Sequence, residues 1–224
     1  MATDYVSFRV GDVFPADDLL AEWVATLALA FNDIALVHAR MIEDQGEGEE
    51  YKFFYWTRLA ISHFAEAADY LITTEHVPEV QGFVESLSDE LQRHYSECVN
   101  RYRERQTEIE QIRNIAGFHY PELRVVRGRR PMQQALAALE NEPGRVKRGP
   151  VLEGRFLFAD DVAAMLFVRT ATAWDSVVAA HGDIEAGIDS FMRFANPAIT
   201  EFFGRAAVSG VRLYATKDRP GAKP

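Results

Sequence analysis

Cysteine is almost absent: Cys98 is the only one in 224 residues. That excludes an internal disulfide framework and any multi-cysteine metal site, and it fits a reducing, cytoplasmic setting. There is no Gly-rich phosphate loop, since Gly144-Arg145-Val146-Lys147-Arg148-Gly149 lacks the Gly-Lys-Ser/Thr ending. No His-Glu-x-x-His occurs and no paired Glu-x-x-His, and His63/Glu66 and Glu90/His94 stand alone. No metal and no other cofactor is therefore expected. No Gly-x-Ser-x-Gly elbow offers a serine nucleophile. The most apolar stretch, Leu19 to Val37, is interrupted by Glu22, Asn32 and Asp33, whereas a membrane span needs about 20 apolar residues with few charges. The opening MATDYVSFRVGDVF has no basic segment followed by an apolar run, so no secretory leader is expected. These absences predict a soluble protein without a membrane partner.

What is present is a large apolar fraction, 48%, with 12% aromatic residues. A sizeable core follows, and disorder does not. The net charge of −10 argues against a protein that coats nucleic acid nonspecifically. The charge is unevenly spread. Between residues 124 and 148 seven basic residues face only Glu140 and Glu142, a net of +5. A local anion-binding segment and a solvated basic loop are both compatible with that.

Hydrophobic periodicity predicts helices. Pro15-Ala16-Asp17-Asp18 is a helix start with acids in the first turn. Leu20, Trp23, Leu27, Ala30, Ile34, Val37 and Met41 then recur at steps of three and four, a seam for packing against neighbouring helices. This helix should run to about Asp44. A second spans about Glu50 to Glu75 with Phe53, Trp56, Ala60, Phe64, Ala67 and Leu71 inward. A short one fits residues 79–87. Ser88 can cap a long helix that runs toward Pro121. Its seam is Leu91, Tyr95, Cys98, Tyr102, Arg105, Ile109, Ile112, Ala116 and His119, with Arg105 breaking the apolar stripe. Cys98, on that seam, should be buried and inert. Residues 131–142 suggest a short helix between basic loops. A further helix is expected from Asp160-Asp161 to a stop at His181-Gly182. Another follows from Asp183, kinked at Pro197. Residues 1–14 read as irregular or a short strand. Arg155 to Phe158 and Val211 to Tyr214 are strand candidates too few for a sheet-based fold. From Lys217 onward a mobile polar tail is expected. The expectation is an all-α fold: one helical domain over residues 1–224, a bundle of five or six main helices.

Near the end of the long helix lies Arg113-Asn114-Ile115-Ala116-Gly117-Phe118-His119. A ribonuclease without metal must take the proton from the ribose 2′-hydroxyl, stabilise charge on the phosphorane, and protonate the leaving 5′-oxygen. Histidine titrates near neutrality and serves the first or third task. Arginine stays charged and forks onto phosphate oxygens, which serves the second. Asn114 can orient either group or bind ribose. One histidine does not easily act as acid and base together, but a two-fold axis supplies a second copy. Arg58-Leu59-Ala60-Ile61-Ser62-His63 has the same arginine-to-histidine form. It lies mid-helix with leucine after the arginine, and His63 reads as a core or half-buried histidine. The later copy has a polar residue after the arginine, a helix end, and a basic segment directly behind it.

At these residues the chain resembles the HEPN superfamily, helical domains carrying Arg-x(4–6)-His, often with a polar residue after the arginine. The resemblance covers about seven residues and the general helical layout. It implies a HEPN-like bundle, a homodimer with the motif of both chains at the interface, and metal-independent RNA cleavage. Arg113, Asn114 and His119 are then the catalytic set. Arg124, Arg127, Arg129, Arg130 and Tyr120 are candidates for holding RNA, although the aromatics Phe118 and Tyr120 suit a core as well as a stacked base. Toxins and phage-defence nucleases are members, so an antitoxin protein is an implied partner. Other members lack activity and bind partners, which leaves a non-catalytic helical dimer that binds a protein or nucleotide as the alternative.

Overall fold

The computed structural model describes residues 4–7, 10–43, 50–113, 136, 177–208 and 214–217. The fold is all-α. Strand β1 (Asp4–Ser7) leads into a one-turn helix α1 (Val10–Val13), then α2 (Leu19–Glu43), α3 (Glu50–Thr74), the short α4 (Pro78–Glu85) and α5 (Asp89–Ile112). Helix α6 (Val177–Val208) and strand β2 (Tyr214–Lys217) complete the order. α2, α3, α5 and α6 form the bundle: α2 packs on α3 and α6, and α5 packs on the same two helices. β1 pairs antiparallel with β2, Asp4 opposite Lys217 and Ser7 opposite Tyr214.

Local chemistry sets the helix starts. Asp18 Oδ1 accepts from the backbone N–H of Leu20 at 2.9 Å and of Ala21 at 3.1 Å, satisfying donors that the first turn of α2 leaves open. Pro78 opens α4, where its missing N–H costs nothing. Ser88 caps α5 by accepting from the Leu91 N–H.

The predicted seam of α2 is the one that faces inward: Trp23, Val24, Leu27, Ile34 and Val37 are buried, with Leu20, Ala30, Phe31 and Met41 half-buried. All of these but Val37 and Met41 join Phe64, Ala68 and Leu71 of α3, Cys98, Val99 and Tyr102 of α5, and Phe191, Phe194 and Ala198 of α6 in one core. Aromatic edges organise its centre. Trp23 lies edge-on to Phe83 and Phe194, and Tyr95 edge-on to Phe194 at 5.1 Å, geometries that add about 0.5–1.5 kcal/mol per pair to plain burial. Gly187 lets α6 approach α3, since a Cβ there would stand 2.5 Å from Phe64 Cζ.

By length and composition alone α2 is apolar enough to cross a membrane, with 33% of that window buried. The polar residues Glu22, Asn32 and Asp33 therefore do not remove it from that class. Its inward face is taken by the bundle.

Three details differ from the sequence expectation. Gly182 does not stop a helix: α6 runs continuously from Val177 through Gly182 and Pro197. A mid-helix glycine costs about 1 kcal/mol, and the burial of Ile184, Phe191, Phe194 and Phe202 outweighs it. Within residues 1–14 a short strand does form, at Asp4–Ser7, but Val10–Val13 is a helical turn where only irregular chain or strand was expected. Lys217, expected to begin a tail, pairs with Asp4 instead, and residues 218–224 lie outside the described ones. So do the expected element at 131–142, apart from residue 136, the one at 155–158 and the start at Asp160-Asp161.

Candidate functional site

Arg113 ends α5. Its backbone N–H donates to the Glu110 and Ile109 carbonyls. Its Nη1 donates to Glu66 Oε1 of α3 at 2.8 Å. The Arg113 side chain is 24% exposed and Glu66 61%, so the guanidinium lies at the rim, reachable from solvent. Asn114, His119, Tyr120, Arg124, Arg127, Arg129 and Arg130 lie outside the described residues. Of the predicted set, Arg113 alone is described.

Tyr102 lies on the same face of α5, three turns before Arg113. It is fully buried, and its hydroxyl has no hydrogen-bond partner among the described residues. Burial, then the carboxylates of Asp69 and Glu110, hold its phenol proton on well above the ordinary range, while Arg113 opposes them. Between the two, Arg105 departs from helical geometry at φ −123° and ψ 15°. The sequence places an arginine on an apolar seam here. The chain turns its Nε instead to 3.5 Å from Asp183 of α6.

The second arginine–histidine pair lies on α3. Arg58 holds its guanidinium over the Tyr55 ring at 5.9 Å, and its Nε is buried without a partner among the described residues. His63 Nδ1 stands 3.8 Å from Asp33 Oδ2, with a side chain 25% exposed. It is half-buried, as its mid-helix position suggests.

His94 also lies among carboxylates. Its Nδ1 is 3.3 Å from Glu97 and its Nε2 3.9 Å from Glu90. Opposite ring nitrogens thus face different acids, which is not the arrangement of a common ion. Among the described residues no group of three or more histidine, cysteine or acidic side chains is placed to hold a metal. Cys98 is buried, and burial pushes its thiol up to about 12, so it is not a thiolate near neutrality.

Glu66 was not legible as a partner of Arg113. In sequence it reads as one half of an isolated His63-x-x-Glu66. The available signal was a polar stripe, Arg58, Ser62, Glu66 and Asp69, at helical spacing on α3. No family model, no curated protein and no solved structure matches the chain. The fold and the site define a class only: an all-α bundle with an arginine at the rim where α5 ends.

Proposed function

We propose that this protein is a metal-independent endoribonuclease of HEPN type, active as a homodimer in the manner of toxin and phage-defence nucleases. Arg113 stabilises charge on the phosphorane, His119 moves the protons, and Asn114 orients them. Arg124, Arg127, Arg129, Arg130 and Tyr120 hold the strand. The products are a 2′,3′-cyclic phosphate and a 5′-hydroxyl. The observation that carries the reading is the guanidinium of Arg113, held by Glu66 at the rim rather than buried. The test is cleavage of RNA in the presence of a chelator. Wild type cleaves, and His119→Ala and Arg113→Ala each lose about a hundredfold or more. Equal behaviour of wild type and His119→Ala ends the reading.

A second reading is a non-catalytic helical dimer that binds a partner protein or nucleotide. It draws on Leu29 and Leu36, 61% and 60% exposed on one face of α2. Under it, Leu36→Glu abolishes the dimer and no RNA is cut.

A further inference from the structure

The outward face of α3 carries a second feature. At 100° per residue, Lys52, Tyr55, Trp56, Leu59, His63 and Glu66 fall in a sector about 100° wide. None of the six is buried. Tyr55 is 43% exposed and sets its ring against Trp56 at a centroid distance of 4.8 Å and an angle of 69°. The guanidinium of Arg58 lies over the Tyr55 ring itself, at 5.9 Å. An aromatic pair with two cations beside it thus occupies one end of the face. The Glu66–Arg113 pair occupies the other, about 16 Å along the helix axis.

We infer that this face is a track for single-stranded RNA, with a base stacked on Tyr55 and the strand running along α3 to Arg113. The choice of RNA rests on the ribonuclease reading. The chemistry of the face agrees with an unpaired strand. Aromatic faces take splayed bases of any sequence, whereas a duplex offers its phosphates first, and Lys52 and Arg58 are too few to hold one. About 16 Å spans roughly three to five nucleotides between extended and stacked spacing. Stacking also reconciles RNA binding with a net charge of −10, because it does not depend on a basic surface. The acid nearest the track's catalytic end, Glu66, is engaged by Arg113.

The test is the affinity of the full chain for a short unstructured RNA oligomer, with chelator, by fluorescence anisotropy. Tyr55→Ala weakens binding about tenfold, while Tyr55→Phe, which keeps the ring, stays near wild type. Of the log–log salt slope, about −2 comes from the track's three cations, Lys52, Arg58 and Arg113, and the arginines of the basic segment add the remainder. Tyr55→Ala binding within twofold of wild type, with an unchanged circular dichroism spectrum, overturns the track. So does loss of self-association in Tyr55→Ala with RNA affinity intact, which gives the face to a second copy. The two readings separate cleanly. RNA bound through Tyr55 but never cut keeps the track and ends the nuclease. RNA cut equally by wild type and Tyr55→Ala does the reverse.

Discussion

Tyr95 and Tyr102 stand two turns apart on α5, and their surroundings differ. The Tyr95 hydroxyl donates to the Leu71 carbonyl at 3.2 Å and its ring rests on Phe194. Close by in the core, the Trp23 indole N–H donates to Thr74 Oγ1 at 2.9 Å. That region follows the rule that buried polar tips are paired. Toward the start of α3 and the end of α5 the rule is relaxed. Among the described residues the Tyr102 hydroxyl, Thr57 Oγ1 and Arg58 Nε are buried without partners, α5 leaves helical geometry at Arg105, and the Arg113–Glu66 pair faces solvent. Unpaired buried groups cost about 1–3 kcal/mol each. One region is built for stability. The other gives stability up and holds the arginine of the proposed site.

The largest effect should come from breaking the paired region. Phe194→Ala removes a fully buried ring that Trp23 and Tyr95 both contact, and should cost about 3–5 kcal/mol in a urea titration. A loss under about 1 kcal/mol would mean this region is not the stable one. Next comes Gly187→Ala. Its new Cβ must displace the Phe64 ring, and the expected loss is about 1–3 kcal/mol.

The two tyrosines sharpen the contrast through its sign. Tyr95→Phe deletes a made hydrogen bond and should destabilise by about 1 kcal/mol, while Tyr102→Phe deletes an unmade one and should stabilise by about 1 kcal/mol. Equal signs would dissolve the comparison. The pH dependence follows from Tyr95. Burial, then the charge of Glu75, pushes its phenol up from 10 to about 12. The folded state therefore favours the proton. That stability is fully present below pH 10 and is lost as pH rises through about 12. Thermal melts across this window should fall less steeply for Tyr95→Phe than for wild type.

Much of the stable region was legible in the sequence, because repeated burial leaves a periodic trace. The seven-residue seam of α2 and the cap at Ser88 needed only spacing and one hydroxyl. Gly182 misled, since a glycine's local cost is small beside the aromatic packing of α6, which no window around residue 182 shows. The candidate site was legible on one side alone. Arg113 stands out by its position, but Glu66 lies 47 residues away on another helix. A lone acid on a helix face looks like any solvated residue until the helices are brought together. Tyr102 was visible as an apolar seam member. That its hydroxyl lacks a partner depends on what α3 presents to it, and period carries no record of that.

The smallest expected effect on stability is the most informative about function. Glu66→Gln removes the charge that holds Arg113, yet Glu66 is mostly exposed, and pairs of this kind contribute about 0–1 kcal/mol and weaken with salt. Its urea midpoint should hardly move. If the pair exists to set the guanidinium for phosphate, RNA cleavage should still respond. The turnover rate falls because the fork is no longer oriented, while KM holds or drops because a carboxylate near the phosphate is gone. Glu66→Asp should recover part of the rate. A stability loss above about 2 kcal/mol would instead make the pair a clamp between α3 and α5, and the rim would then belong with the paired region.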